Sequence, residues 1–266
     1  MKKIIAFLCI LLFSSTAIQA EIYVSAVQRF EARYHHGSHQ PEYDLVHEFW
    51  FGKNCLTLLR HEYCNYEGDL IESAMRLTFD KEKQRIMVAN YSESTYVVIP
   101  LPMNLPLVVD STLVESIKNY QINGTIQSTG EKKTIDQKAC AVFKITEWIV
   151  YGYERFYDRE RTIMVTQDVP FNWRLLDELY QLIRSFFNPQ GSYLSDLEKI
   201  NGFIYSTEDV RFQRGQQIHS SFKVLEISEK ASPENIFDLP ADLNKKEKLT
   251  RSDLIALRGI VYHVGW

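Results

Sequence analysis

The stretch AMRLTF, residues 74–79, puts Met75, Leu77 and Phe79 on one side of an extended chain and Arg76 and Thr78 on the other. Period-two alternation marks a strand with one dry and one wet face, and a helix does not produce it. The same rhythm recurs in LVHEFWF (45–51), CLTLLRH (55–61), RIMVANY (85–91) and TYVVIPL (95–101). Polar turns lie between these runs: Gly52-Lys53-Asn54, then Asn65 to Asp69, then Asp80 to Gln84. Connections this short join neighbours antiparallel, so the first half of the chain reads as a meander.

The pattern breaks at MNLPLVVDSTLVESIKNY (103–120), where Asp110 or Ser111 can cap a short helix running to Tyr120, with Glu115 near its first turn. Strands resume at GTIQSTG, EKKTID, ACAVFKITEWIVY, YERFYD and RTIMVTQD. A helix over residues 171–187 follows. Its Leu175, Leu176, Leu179, Leu182, Ile183, Phe186 and Phe187 recur at three- and four-residue steps on one apolar face. Asn188-Pro189 ends it, with Gly191 just beyond. NGFIYSTEDV, RFQ and IHSSFKVLEIS close the set. The expectation is a mainly β (α+β) chain of about ten or eleven strands with one or two helices, no internal repeat and no Gly/Ser linker. Such a sheet must cover its apolar face with another layer or a ligand, and one strong helix is little cover for so many strands.

Residues 1–20, MKKIIAFLCILLFSSTAIQA, have a basic start, an apolar run from Ile4 to Phe13 and a small polar end at Ala20. That is the layout of a secretory signal peptide, too short in its apolar part to span a bilayer. Cys9 lies inside the apolar run, where a lipidation cysteine does not belong. Without the leader, which carries two lysines and no acid, the net charge becomes −6. That balance argues against a nucleic-acid partner, which needs a concentrated basic surface. No later run of 18 apolar residues offers a membrane helix. With 45% apolar and 13% aromatic residues, a sizeable core is within reach. The expected organisation is one domain over 21–248 and a tail over 249–266, in an exported, soluble, periplasmic protein.

Chemistry-bearing constellations are sparse. Cys55, Cys64 and Cys140 follow the leader. The ends of an extended strand from Cys55 to Cys64 would stand about 30 Å apart, whereas disulfide partners need Cα atoms within about 7 Å. A bridge there and an unbroken strand exclude each other. The reading taken is three reduced, mostly buried thiols. RYHHGSHQPEYDLVHEF gathers His35, His36, His39 and His47 beside Glu42, Asp44 and Glu48, but at no recognised ligand spacing, and Gly37, Ser38 and Pro41 mark a hairpin loop. The histidines read as solvated, and no metal or cofactor is called for. No nucleophile elbow, phosphate loop or zinc-protease helix is present, so the chain is read as a non-enzyme with no catalytic residues. The final LTRSDLIALRGIVYHVGW ends on an aromatic, as outer-membrane barrels do. Val261 stands where their terminal strand usually has glycine, and the barrel reading is set aside.

The second half carries a resemblance. TGEKKTIDQKACAVFKI (129–145), a strand pair, TQDVP before an amphipathic helix, then NGFIYSTEDV and SSFKVLEISEKASPENIFDLPADLNKK (220–246) occur in an order that resembles the bacterial lipoprotein-carrier (LolA/LppX-like) superfamily, in particular its exported members. The departure is Asp136-Gln137, where the family tends to have glycine before the Lys-x-Cys step. The resemblance implies a curved, open antiparallel half-barrel whose concave face, covered by helices, shelters acyl chains. On that basis Leu45, Phe49 and Phe51, then Met75, Leu77 and Phe79, then Phe143, Ile145 and Ile149 would line the sheet. Leu176, Leu179 and Ile183 would lie over them. It also implies that Ile236 and Phe237 tuck the chain under the sheet, that Pro240 stops strand pairing, and that Lys245, Lys246 and Lys248 return the chain to water. The function expected is non-covalent shelter of a lipid, lipoprotein acyl chains or another apolar ligand. The partners would be a lipid or an acylated protein, and other envelope proteins. The alternative is a structural or interaction protein of the envelope with the same fold and a filled core.

Overall fold

The computed structural model describes residues 21–31, 33–35, 38–40, 42–64, 75–118, 120–151, 154–187, 199–213, 216–254 and 257; the side chains of some of these, Cys64 and Ile149 among them, lie outside the description. The leader expected at residues 1–20 lies outside it too. The first half is the expected meander: β4 (Tyr43–Phe51), β5 (Cys55–Cys64), β6 (Met75–Asp80), β7 (Arg85–Asn90) and β8 (Thr95–Pro100). The second half is a meander of longer strands: β9 (Tyr120–Ile135), β10 (Lys138–Tyr151), β11 (Glu154–Thr166), β12 (Phe203–Gln213) and β13 (Gln216–Lys230). Three pairs of expected short strands fuse there. GTIQSTG runs into EKKTID, YERFYD into RTIMVTQD, and NGFIYSTEDV into RFQ.

The two meanders are joined by β1 (Glu21–Phe30), a strand the sequence reading does not place. It pairs antiparallel with β4 on one side and with β13 on the other. The result is one curved, open sheet of twelve strands in the order β14-β8-β7-β6-β5-β4-β1-β13-β12-β11-β10-β9. A small hairpin, β2 (Arg33–His35) with β3 (Ser38–Gln40), stands apart from it. The fold is therefore the antiparallel sheet that the strand pattern leads one to expect, in the open half-barrel form that the resemblance implies. Bulges interrupt the ladders at Ser25/Ala26 of β1 and Met164/Val165 of β11, and irregularities of that kind increase local twist. Gly202, at φ +151°, leads into β12 opposite the second bulge. A Cβ there would meet Val165 Cγ1 at 2.7 Å and the Thr166 carbonyl at 2.8 Å, so only glycine fits.

The helices α1 (Leu105–Val108), α2 (Ser111–Lys118) and α3 (Arg174–Phe187) accompany the sheet, and residues 251–254 are helical as well. Asp110 caps α2, accepting from the Thr112 N–H at 2.9 Å. The helix stops at Lys118, short of Tyr120, because β9 begins there. α3 starts three residues later than the expected span of 171–187, since residues 170–173 are bend and turn, and its start fits the apolar repeat from Leu175. Its Leu175, Leu176, Leu179, Tyr180 and Ile183 are buried with the inner faces of the strands in one main core.

The segment after β13 departs most from expectation. Ile236 packs with Tyr23 and Trp50 in a separate small cluster, joined by Leu59 and Phe237. Those residues alternate with the core-facing ones on β1, β4 and β5, so the segment lies across the outer face of the sheet. Thr57 Oγ1 donates to the Ile236 carbonyl at 3.0 Å, and the Arg76 guanidinium donates to the carbonyls of Asn235 and Asp238. Pairing resumes after Pro240, where β14 (Asn244–Lys246) runs parallel to β8. Lys246 does not simply return to water: its Nζ lies 2.8 Å from Glu93 and 2.9 Å from the buried Asp253. Two carboxylates outweigh the hydration of one ammonium group. Beyond it, Leu249, Leu254 and Leu257 join the main core.

Candidate functional site

Strand register divides the inner face of the half-barrel into two ends. At one end β1 offers Val24, β4 Phe49 and Phe51, β5 Leu56 and Leu58, β6 Leu77 and Phe79, β11 Ile163 and Val165, and β13 Phe222 and Val224, all within the main core. α3 closes over this end. Burying a side chain of this size is favourable by roughly 1.5–3 kcal/mol, so apolar contact alone seats the helix. An exposed ion pair, Lys81 Nζ to Glu178 at 2.7 Å, ties it to the turn between β6 and β7.

Just before α3 the cover opens. A recess of about 380 Å³ lies between the start of β1, the end of β4 and residues 170–172, lined by Ile22, Phe51, Pro170 and Phe171 together with Glu21, Lys53 and Glu229. Phe51 and Phe171 stack with ring centroids 4.2 Å apart, and Phe171 meets Phe203 edge-on at 5.1 Å. The back wall of the recess therefore belongs to the main core. Cys55 lies at its edge, half-buried, with its thiol pushed up to about 11, chiefly by burial. Such a thiol is not a nucleophile at neutral pH.

The other end of the inner face is polar. In sheet order, β4 contributes His47, β1 Gln28, β13 Ser220, β12 Asp209, β11 Arg161 and β10 Glu147, all buried. Ser220 stands opposite Asp209, and Asp209 opposite Arg161. Arg161 donates to Glu147 at 2.7 Å, Arg159 reaches both Glu147 at 3.6 Å and Asp209, and Arg211 lies 3.8 Å from Asp209. Several atoms of the strip have no hydrogen-bond partner among the described residues: Arg161 Nε and Nη1, Asp209 Oδ1, Ser220 Oγ, Gln28 Oε1 and both ring nitrogens of His47. Each unmade bond of this kind costs about 1–3 kcal/mol. His47 lies between the rings of Phe49 and Phe222. Burial, with Arg60 and His61 nearby, drives its imidazole down to about 3 and keeps it neutral.

On the outer face, Tyr23 Oη donates to Glu48 at 2.6 Å, and Glu48 also meets His61 Nε2 at 3.1 Å. Burial, then Glu48, pushes the Tyr23 phenol up to about 12. The hydrogen bond from His61 is the largest influence holding the Glu48 carboxyl below its usual range. This trio braces β1, β4 and β5 from outside.

The expected lining residues are mostly gathered. Phe49, Phe51, Met75, Leu77, Phe79, Ile145, Leu176, Leu179 and Ile183 share the main core, and Phe143 packs against it half-buried. Leu45 is buried beside Gln28 at the polar end and is not part of that core. The Ile149 side chain lies outside the description. β5 runs unbroken from Cys55 to Cys64, so no bridge closes those two, and Cys55 and Cys140 are free thiols. His47 is fully buried, not solvated as its loop neighbours suggested, because it belongs to β4. The side chains of His35, His36 and His39 lie outside the description; among the described residues no three His, Cys, Asp or Glu could together hold a metal ion. The polar strip escaped the sequence reading. Its trace is visible in RERTIMV, where Arg159 and Arg161 continue the inward positions of Ile163 and Val165.

Fold and site thus define a curved open half-barrel with a helix over its apolar end. No family model matches the chain, and no curated protein matches it either. Among solved structures, a DUF1329 family protein from Desulfovibrio piger aligns over 89% of this chain and 95% of its own, at 10% identity and a TM-score of 0.32. Likeness at that level does not establish a shared fold or function.

Proposed function

We propose that this chain is an exported, non-enzymatic binding protein of the periplasm that shelters the acyl chain of a lipid or an acylated protein against the inner face of its sheet. The observation that carries the proposal is the recess of about 380 Å³, whose aromatic back wall is continuous with the core beneath α3. Its volume falls within the roughly 300–1,000 Å³ of small-molecule sites. Affinity comes from apolar burial, at about 0.8 kcal/mol per CH₂, and release follows movement of α3, whose contacts include apolar packing and the exposed Lys81–Glu178 ion pair. Among the described residues no helix is long and apolar enough to cross a membrane, which is compatible with a soluble carrier.

One observation favours the competing role of an envelope scaffold. Leu175, Leu176, Leu179, Tyr180 and Ile183 are all at most 3% exposed, so the space under the helix is already filled in this state. Native mass spectrometry of protein purified gently from a periplasmic extract, with solvent extraction, separates the two. A stoichiometric lipid or acylated peptide is the expected result. A bare mass, unchanged after incubation with lipid, leaves the scaffold.

A further inference from the structure

We infer that the polar strip reads an anionic headgroup, so that the ligand is an acyl amphiphile carrying a phosphate or carboxylate. This rests on the binding role proposed above and adds the chemistry of the other end of the ligand. The inner face changes character along its strands, apolar beneath α3 and polar toward Arg161, which is the division an amphiphile presents.

Arg161 is the central residue. Its side chain is fully buried, so its charge has no access to bulk water. One hydrogen bond, from Nη2 to Glu147, is made, while Nε and Nη1 have no partner. A guanidinium cannot shed its proton to relieve this. Glu147 already meets the charge, and an oxyanion accepting from Nε and Nη1 supplies the hydrogen bonds that Glu147 leaves unmade, of the strong charge-assisted kind. Ser220 Oγ, across Asp209 in the register, adds a hydroxyl donor without a partner. A purely apolar ligand leaves all of these donors unmet, so the site discriminates against it.

The test uses full-length protein without its leader and three probes: palmitoyl lysophosphatidate, palmitoyl glycerol with the same chain and no charge, and inorganic phosphate. Dissociation constants are measured by calorimetry below the micellar range, at low salt and at 0.5 M salt. We expect lysophosphatidate to bind at least about tenfold more tightly than the neutral glyceride. The preference should survive high salt, because buried pairs are little screened. Arg161→Gln should reduce the preference to within about threefold while leaving glyceride binding in place. Arg161→Lys, which keeps the charge, should retain part of it if the glutamine variant fails to fold. Equal binding of the two amphiphiles by the wild type overturns the headgroup assignment and leaves acyl shelter standing. Phosphate binding as tightly as lysophosphatidate overturns the amphiphile and leaves an anion site. No binding of either amphiphile overturns both readings.

Discussion

His47 shows how far a position in the sheet can move a side chain from its ordinary chemistry. Its folded value, about 3, lies below the ordinary value near 6.5. As pH falls, the unfolded chain takes up this proton first. Stability is therefore complete above about pH 6.5 and is lost progressively on the way down to about 3. Each pH unit in that window is worth about 1.4 kcal/mol. Thermal or urea unfolding at pH 6.5 and pH 5 should show a loss of about 2 kcal/mol that His47→Leu abolishes. An identical acid slope in wild type and variant would mean that the imidazole charges without cost, and so is not sealed in the core. The rhythm of LVHEFWF already carries its phase, but the loop histidines beside it drew the reading toward solvent. His35 and His39 belong to the β2–β3 hairpin, whereas His47 shares the inward phase of Leu45, Phe49 and Phe51.

At the scale of elements, α3 is the part whose behaviour decides between carrier and scaffold. Its apolar face was legible from spacing alone, because leucines three and four residues apart can face only one way on a helix. What it covers was not, since spacing carries no information about the opposite surface. Lys81 and Glu178 stand within direct reach, so a zero-length carbodiimide linkage can join them. We predict that linked protein takes up a fluorescent fatty acid at least about tenfold more slowly than unlinked protein, and that Lys81→Ala, treated identically, shows no slowing. Unchanged uptake in the linked sample would show that the ligand enters without movement of the helix. The pair itself is exposed, so its removal should cost no more than about 1 kcal/mol of stability.

At the scale of the whole molecule, β1 is the closure between two meanders that could otherwise part. Val24 stands between Phe49 of β4 and Ile227 of β13 and is fully buried. An unpaired buried carboxylate there is intolerable to both ladders. Val24→Asp should prevent cooperative folding, seen as loss of the unfolding transition in circular dichroism, whereas Ser25→Lys on the outer face, opposite Glu48 and Glu226, should leave it intact. If Val24→Asp melts like wild type, the two meanders fold independently of β1.

The alternation of AMRLTF and its neighbours determined by itself that this chain builds a largely antiparallel sheet with one greasy face, because period two has only one structural solution. The leucine repeat likewise determined that a helix lies against it. Only the tertiary structure decided that EIYVSAVQRF is the strand joining both halves, that NIFDLPAD crosses the outer face, and that Arg161, Asp209 and Ser220 meet on the inner one. Those facts depend on which strands become neighbours and in what register. Hydrogen-bond ladders between residues some two hundred positions apart settle that, and no local pattern of side chains encodes it.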